Sequence, residues 1–165
     1  MENPKTLEIL KQAIIMEKRG YAFYSKVAEQ TNDPDVKNIF VIMANEEVLH
    51  SKFLAEQFAY YDKENKFVEV VFPEEDAVTE MVLSSEIKNK IAAAGFEAAA
   101  IAAAVDFESR AIDVYTKQAE AATDPNEKKL YAWLSDWEKG HHKFLYELDQ
   151  DLKERVWYDN QFWPF

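Results

Sequence analysis

No cysteine occurs anywhere in the 165 residues, which excludes a disulfide framework, a thiolate nucleophile and cysteine-ligated iron–sulfur chemistry. Glycine is nearly as scarce. With three glycines and 48% hydrophobic residues, the chain fits one compact domain, residues 1–165, with a sizeable core and no need of a solenoid. Cations are outnumbered: 19 Lys and Arg face 31 Asp and Glu, for a net charge of −12. Such a surface repels phosphate backbones and anionic lipid, so nucleic-acid and membrane-surface roles are disfavoured. No apolar run reaches membrane-spanning length, because the Ala-rich stretch 91–105 is short and holds Gly95 and Glu97. The start, Met1-Glu2-Asn3-Pro4, is acidic and lacks the basic opening of a signal peptide. Cytoplasm is the expected location.

What the chain does contain is a repeat. Glu47-x-x-His50 recurs as Glu138-x-x-His141, and the glutamates Glu17 and Glu108 precede them by the same interval, so each of the three positions recurs after 91 residues. A helix turns about 100° per residue, which leaves Glu at i and His at i+3 roughly 60° apart on one face. Both can reach one ion. Two helices giving a Glu and two giving a Glu-x-x-His pair make the ligand set of carboxylate-bridged two-metal bundles. Residues 17–56 laid on 108–147 share about fifteen identities in forty, the mark of a duplicated unit.

Each unit reads as a helical hairpin. Asp33-Pro34 and Asp124-Pro125 supply an N-cap acceptor followed by a proline at the first helical position. The spacing predicts helices over Pro4–Gln30, Pro34–Asp62, Gly95–Ala121 and Pro125–Lys153, with a long connection over 63–94. Within it Phe67–Phe72 is expected to be extended, and Pro73 with the acids after it to open a short helix. A connection of this length suits an end-to-end crossover of a four-helix bundle, or lets one hairpin pair with a second chain in a swapped homodimer. The tail Trp157–Phe165, dense in aromatics, is expected to cover the bundle or a dimer interface.

Glu17-x6-Tyr24, Glu47-x-x-His50, Glu108-x6-Tyr115 and Glu138-x-x-His141 resemble the rubrerythrin branch of the ferritin-like superfamily. The resemblance implies an all-α, ferritin-like four-helix bundle with a non-haem di-iron centre: Glu17, Glu47 and His50 on one iron, Glu108, Glu138 and His141 on the other, and Glu47 and Glu138 bridging. Two departures are evident. There is no cysteine-bearing, rubredoxin-type iron domain in these residues, and Ala111 stands where the family carries an extra carboxylate. Since the repeat offers only Gly20 and Ala111 at the two equivalent places, the centre is expected to be close to two-fold symmetric, with His50 a permanent ligand.

Chemistry supports metal independently of that resemblance. Four glutamates facing one core would repel, and two divalent ions would neutralise them. Carboxylates with one imidazole per ion suit iron or manganese, and zinc could also occupy the site. Tyr24 and Tyr115, two turns beyond their glutamates, are expected to hydrogen-bond ligand carboxylates. Glu46, about 100° off the ligand face, is read as solvated, and His142, opposite Ser51 in the repeat, as surface. Trp133, Trp137, Met16, Met43 and Met81 are read as packing. The expected activity is reduction of hydrogen peroxide or dioxygen with electrons from a separate donor. Iron binding, or ferroxidase and iron-handling work without turnover, is the alternative.

Overall fold

The computed structural model describes residues 3–74, 84–93 and 95–159, of which the ordered elements are all helices. They run α1 (Asn3–Gln30), α2 (Pro34–Glu64), α3 (Ser85–Lys90), α4 (Phe96–Ala121) and α5 (Pro125–Asp159). Four long helices form an all-α bundle of two hairpins, α1–α2 and α4–α5, each joined by three residues or so around an Asp-Pro pair. The caps act as the sequence requires. Asp33 accepts from the backbone N–H of Asp35 at 2.9 Å and Val36 at 3.1 Å; Asp124 accepts from Asn126 at 2.7 Å and Glu127 at 3.3 Å. Each satisfies N–H groups that the first helical turn leaves unpaired.

Predicted and observed ends agree within about two residues, except that α5 continues to Asp159. Nothing between Lys153 and Pro164 breaks a helix. Trp157 and Tyr158 therefore belong to α5, and they stand 47% and 67% exposed. This part of the tail thus leaves much of its aromatic surface outside its own bundle, and residues 160–165 lie outside the described residues.

The connection opens at Asn65, which ends α2 in the left-handed region at φ 53°. Residues 67–73 then form neither helix nor strand, and side chains pin them. Gln57 clasps Val68 at both ends of its amide, donating to the carbonyl at 2.8 Å and accepting from the N–H at 3.0 Å. Phe72 stacks on Trp133 of α5 at 4.6 Å, and the Trp133 indole N–H donates to the Pro73 carbonyl at 3.0 Å. The short helix expected at Pro73 and the packing assigned to Met81 fall outside the described residues. The helix that is described, α3, ties the connection to both hairpins through Lys90 to Asp35 and Lys88 to Asp151.

Two apolar clusters fill the bundle. One, around Tyr24, Ile39, Phe40, Met43, Ile101, Leu145 and Leu148, occupies one part of the interior. The other, around Leu10, Leu54, Tyr115, Leu130, Tyr131 and Leu134, occupies another. Between them in the sequence of every long helix sits a buried acid or histidine: Glu17, Glu47 with His50, Glu108, and Glu138 with His141. Burying such groups inside an apolar core is costly unless something compensates them.

Candidate metal centre

All six predicted ligands are at most 1% exposed, and they converge. Ligand atoms of Glu17, Glu47, His50 and Glu138 form one group and those of Glu47, Glu108, Glu138 and His141 a second, with all atoms in each within 4.8 Å of one another. Glu47 and Glu138 belong to both groups. Both imidazoles turn Nδ1 inward. His50 Nδ1 lies 2.9 Å from Glu138 Oε1 and 3.2 Å from Glu17 Oε2. His141 Nδ1 lies 3.0 Å from Glu138 Oε2 and 3.6 Å from Glu108 Oε1. The rings stack at 6.0 Å.

The tyrosines cross between hairpins. Tyr24 of α1 donates to Glu108 of α4, and Tyr115 of α4 donates to Glu17 of α1. Burial first, and the adjoining glutamates next, push both phenols well above their ordinary range. They therefore stay protonated and remain donors, and each fixes one carboxylate of the opposite hairpin.

Gly20 is a functional position that periodicity did not reveal. A Cβ built there would stand 3.0 Å from Glu47 Oε2 and 3.0 Å from Phe107 Cζ. The absent side chain is what leaves room for the Glu47 carboxylate against α1. Its repeat mate Ala111 lies buried in an apolar cluster and offers no ligand atom.

Glu46 corrects the sequence reading. It is 6% exposed rather than solvated, its Oε2 bonds His141 Nε2, and the Trp137 indole N–H donates to the same oxygen at 3.4 Å. In a bundle, a helix has two buried flanks, and α2 turns the Glu46 flank toward α5. The signal available in the sequence was the pair Glu46-Glu47, although the repeat places Trp137, not an acid, at the matching position. Trp137 is buried packing as expected, Met43 lies in the core, and His142 stacks on Tyr146 on the outer side of α5.

Protons show what the cluster asks for. Burial, reinforced by Glu138 and Glu17, pushes Glu47 well above the carboxylate range. Burial and Glu138 raise Glu108 to about 8. Burial disfavours a charged His50, yet Glu138 and Glu17 outweigh it and raise the ring to about 10. Glu138 shows the reverse balance: burial would raise it, but the two histidines hold it well below its ordinary value. Only by taking up protons can these groups coexist without cations.

A metal fits this donor set. Glu47 Oε1, Glu108 Oε2 and both Glu138 oxygens are buried without a hydrogen bond, despite the nearness of the imidazoles. Buried polar atoms rarely go unsatisfied, and these belong to residues of the two converging groups.

A family model for rubrerythrin matches residues 8–149. The chain belongs to the rubrerythrin family. Among solved structures, a "Hypothetical Protein Pfu-1136390-001" from Pyrococcus furiosus is similar over 90% of each chain, at 25% identity and a TM-score of 0.64. No curated protein matches. Membership makes the ferritin-like bundle the expected scaffold for a carboxylate-bridged centre, and these 165 residues contain no cysteine from which a rubredoxin-type domain could be built. No helix among the described residues is long and apolar enough to cross a membrane.

Proposed function

We propose that this rubrerythrin-family chain is a non-haem di-iron oxidoreductase that reduces hydrogen peroxide or dioxygen. Its electrons would come from a donor outside these residues. The observation that carries the reading is the sharing of Glu47 and Glu138 between two buried, histidine-bearing ligand groups. Glu17, Glu47, Glu138 and His50 would hold one ion, and Glu108, Glu138, Glu47 and His141 the other. Manganese or zinc could fill the same donors, since ligand softness alone does not select among these ions. A bound pair of ferrous ions would supply Lewis acidity and, unlike zinc, two electrons; peroxide takes up two electrons and two protons and leaves as two waters.

The chain's own residues do the rest. Tyr24 and Tyr115 hold the outer glutamates in place, and the apolar clusters keep bulk water from the carboxylates. An open groove of about 850 Å³ between α1 and α4, lined by Phe23, Phe107 and Val114, reaches Tyr115. That gives a small oxidant an approach to the residue that orients Glu17. We further infer a homodimer, for which the long connection and the aromatic tail speak; exchange of hairpins through residues 63–94 is a second arrangement. Sedimentation as a monomer at micromolar concentration would remove both.

The test is to load metal-free protein anaerobically with two ferrous ions per chain, add one equivalent of peroxide, re-reduce, and repeat. An enzyme consumes peroxide through many cycles at constant iron content. Iron that accumulates well beyond two per chain would instead support the alternative of iron handling, and absence of peroxide-dependent oxidation would overturn the proposal.

A further inference from the structure

The repeat maps Glu46 onto Trp137, each the residue before a bridging-position glutamate, and the structure brings these two unlike partners into contact across the bundle. Their difference falls on the histidines. His141 Nε2 bonds the buried Glu46 carboxylate, so this ring is gripped from behind while its Nδ1 faces Glu138 and Glu108. His50 has no such grip. Its Nε2 is buried without a hydrogen-bond partner, and its ring meets the indoles of Trp133 and Trp137 edge to face at 5.4 and 5.5 Å. The inner groups are thus paired by the repeat, as expected, while the groups behind the histidines are not, so the symmetry does not extend beyond the inner layer.

A carboxylate on the outer N–H of a ligand histidine fixes the tautomer and ring orientation and strengthens the inner nitrogen as a donor, commonly by a factor of 10–100 in metal affinity. Indole edges accept no such bond. We propose that Glu46 is a positioning residue that makes the two metal positions unequal: the His141 position fills first and holds its ion, and the His50 position is the exchangeable one. The inference rests on the two-ion centre proposed above. It implies a one-ion form with metal at His141, and a second position open to replacement by a different divalent ion.

Cobalt(II) is a suitable probe because its visible bands report coordination directly. Four single-site proteins separate the positions: His50→Ala and His141→Ala, each with Glu46 kept and with Glu46→Gln. In the His50→Ala protein one cobalt should bind tightly, and adding Glu46→Gln should weaken it by about 10–100-fold and shift its spectrum. In the His141→Ala protein the remaining cobalt should bind more weakly, and Glu46→Gln should change that affinity by well under about tenfold, because Glu46 reaches His50 at one remove, through the Trp137 indole. Glu46→Asp should recover part of the loss at the His141 position. A residue that only supported the fold would lower the melting temperature of every protein and leave the affinity difference between positions intact, overturning the proposal. Equal loosening at both positions, or a tighter site at His50, would overturn it as well. Where Glu46→Gln fails to fold, the order of affinities in the two histidine variants decides the matter alone. Failure of the parent to bind two cobalt ions is a different result, since it removes the metal centre itself.

Discussion

Replacing Glu108 by glutamine should stabilise the metal-free protein. In the fold this carboxyl is buried and faces Glu138, and it titrates at about 8 instead of its ordinary 4.5. Between those two pH values the folded state binds a proton that the unfolded state has released, so stability falls as pH rises. At neutral pH the cost is 1.36 kcal/mol for each of roughly two and a half pH units, or about 3 kcal/mol. Glutamine mimics the protonated acid, and its carbonyl oxygen can still accept the Tyr24 hydroxyl that Glu108 accepts. Allowing for imperfect accommodation of the amide, Glu108→Gln should add about 1–3 kcal/mol at pH 7, or roughly 2–4 °C in Tm per kcal/mol for a chain of this size. The gain should vanish near pH 4.5, grow by about 1.4 kcal/mol per pH unit, and level off above 8. Chelator-treated parent and variant, melted from pH 4 to 9 under circular dichroism, provide the assay. A metal-free variant less stable than its parent at pH 7, or a difference flat across pH, would refute the reasoning. With two divalent ions bound the order should reverse, because the variant has lost a ligand.

Other perturbations probe the same layer from different sides. Tyr24→Phe and Tyr115→Phe each delete a buried hydrogen bond to a carboxylate and should each cost about 1.5–3 kcal/mol of stability; denaturant melts showing less than 0.5 kcal/mol for either, by the same principle, would contradict that role. Gly20→Ala sets a methyl 3.0 Å from Glu47 Oε2, where overpacking of about 1–3 kcal/mol is partly offset by a helix-propensity gain of about 1. Melting should change little while divalent-metal affinity falls about tenfold or more, and unchanged calorimetric titrations would show that Glu47 needs no such room. Since His50 is raised to about 10, its contribution to metal-free stability is full below about 6.5 and is lost as pH climbs through 10. His50→Ala should remove that alkaline loss from the pH–stability curve, and a curve that keeps it would assign the loss elsewhere.

Much of this protein is legible in one dimension because its key contacts obey local rules. Asp33-Pro34 and Asp124-Pro125 cap helices through atoms two and three residues away, and Glu-x-x-His places two side chains on one face by helical geometry alone. The interval of 91 residues then gives both hairpins the same three acid and histidine positions, Glu17, Glu47 and His50 matching Glu108, Glu138 and His141. Family, fold class and the six converging side chains follow from those regularities. Docking of one hairpin on the other decided the rest. Tyr24 and Glu108 are 84 residues apart, Glu46 and His141 95, and Tyr115 and Glu17 98; no periodicity within a helix specifies such pairs. Glu46 looks solvated on an isolated helix because it points 100° from Glu47, and it is buried only because α5 lies along that flank. The path of residues 67–73 depends likewise on Gln57 and Trp133, side chains of other elements, because an irregular backbone carries no period of its own. Sequence alone thus determined which groups each hairpin contributes, while tertiary packing decided which of them meet and, through Glu46 against Trp137, that the two histidines do not stand in the same surroundings.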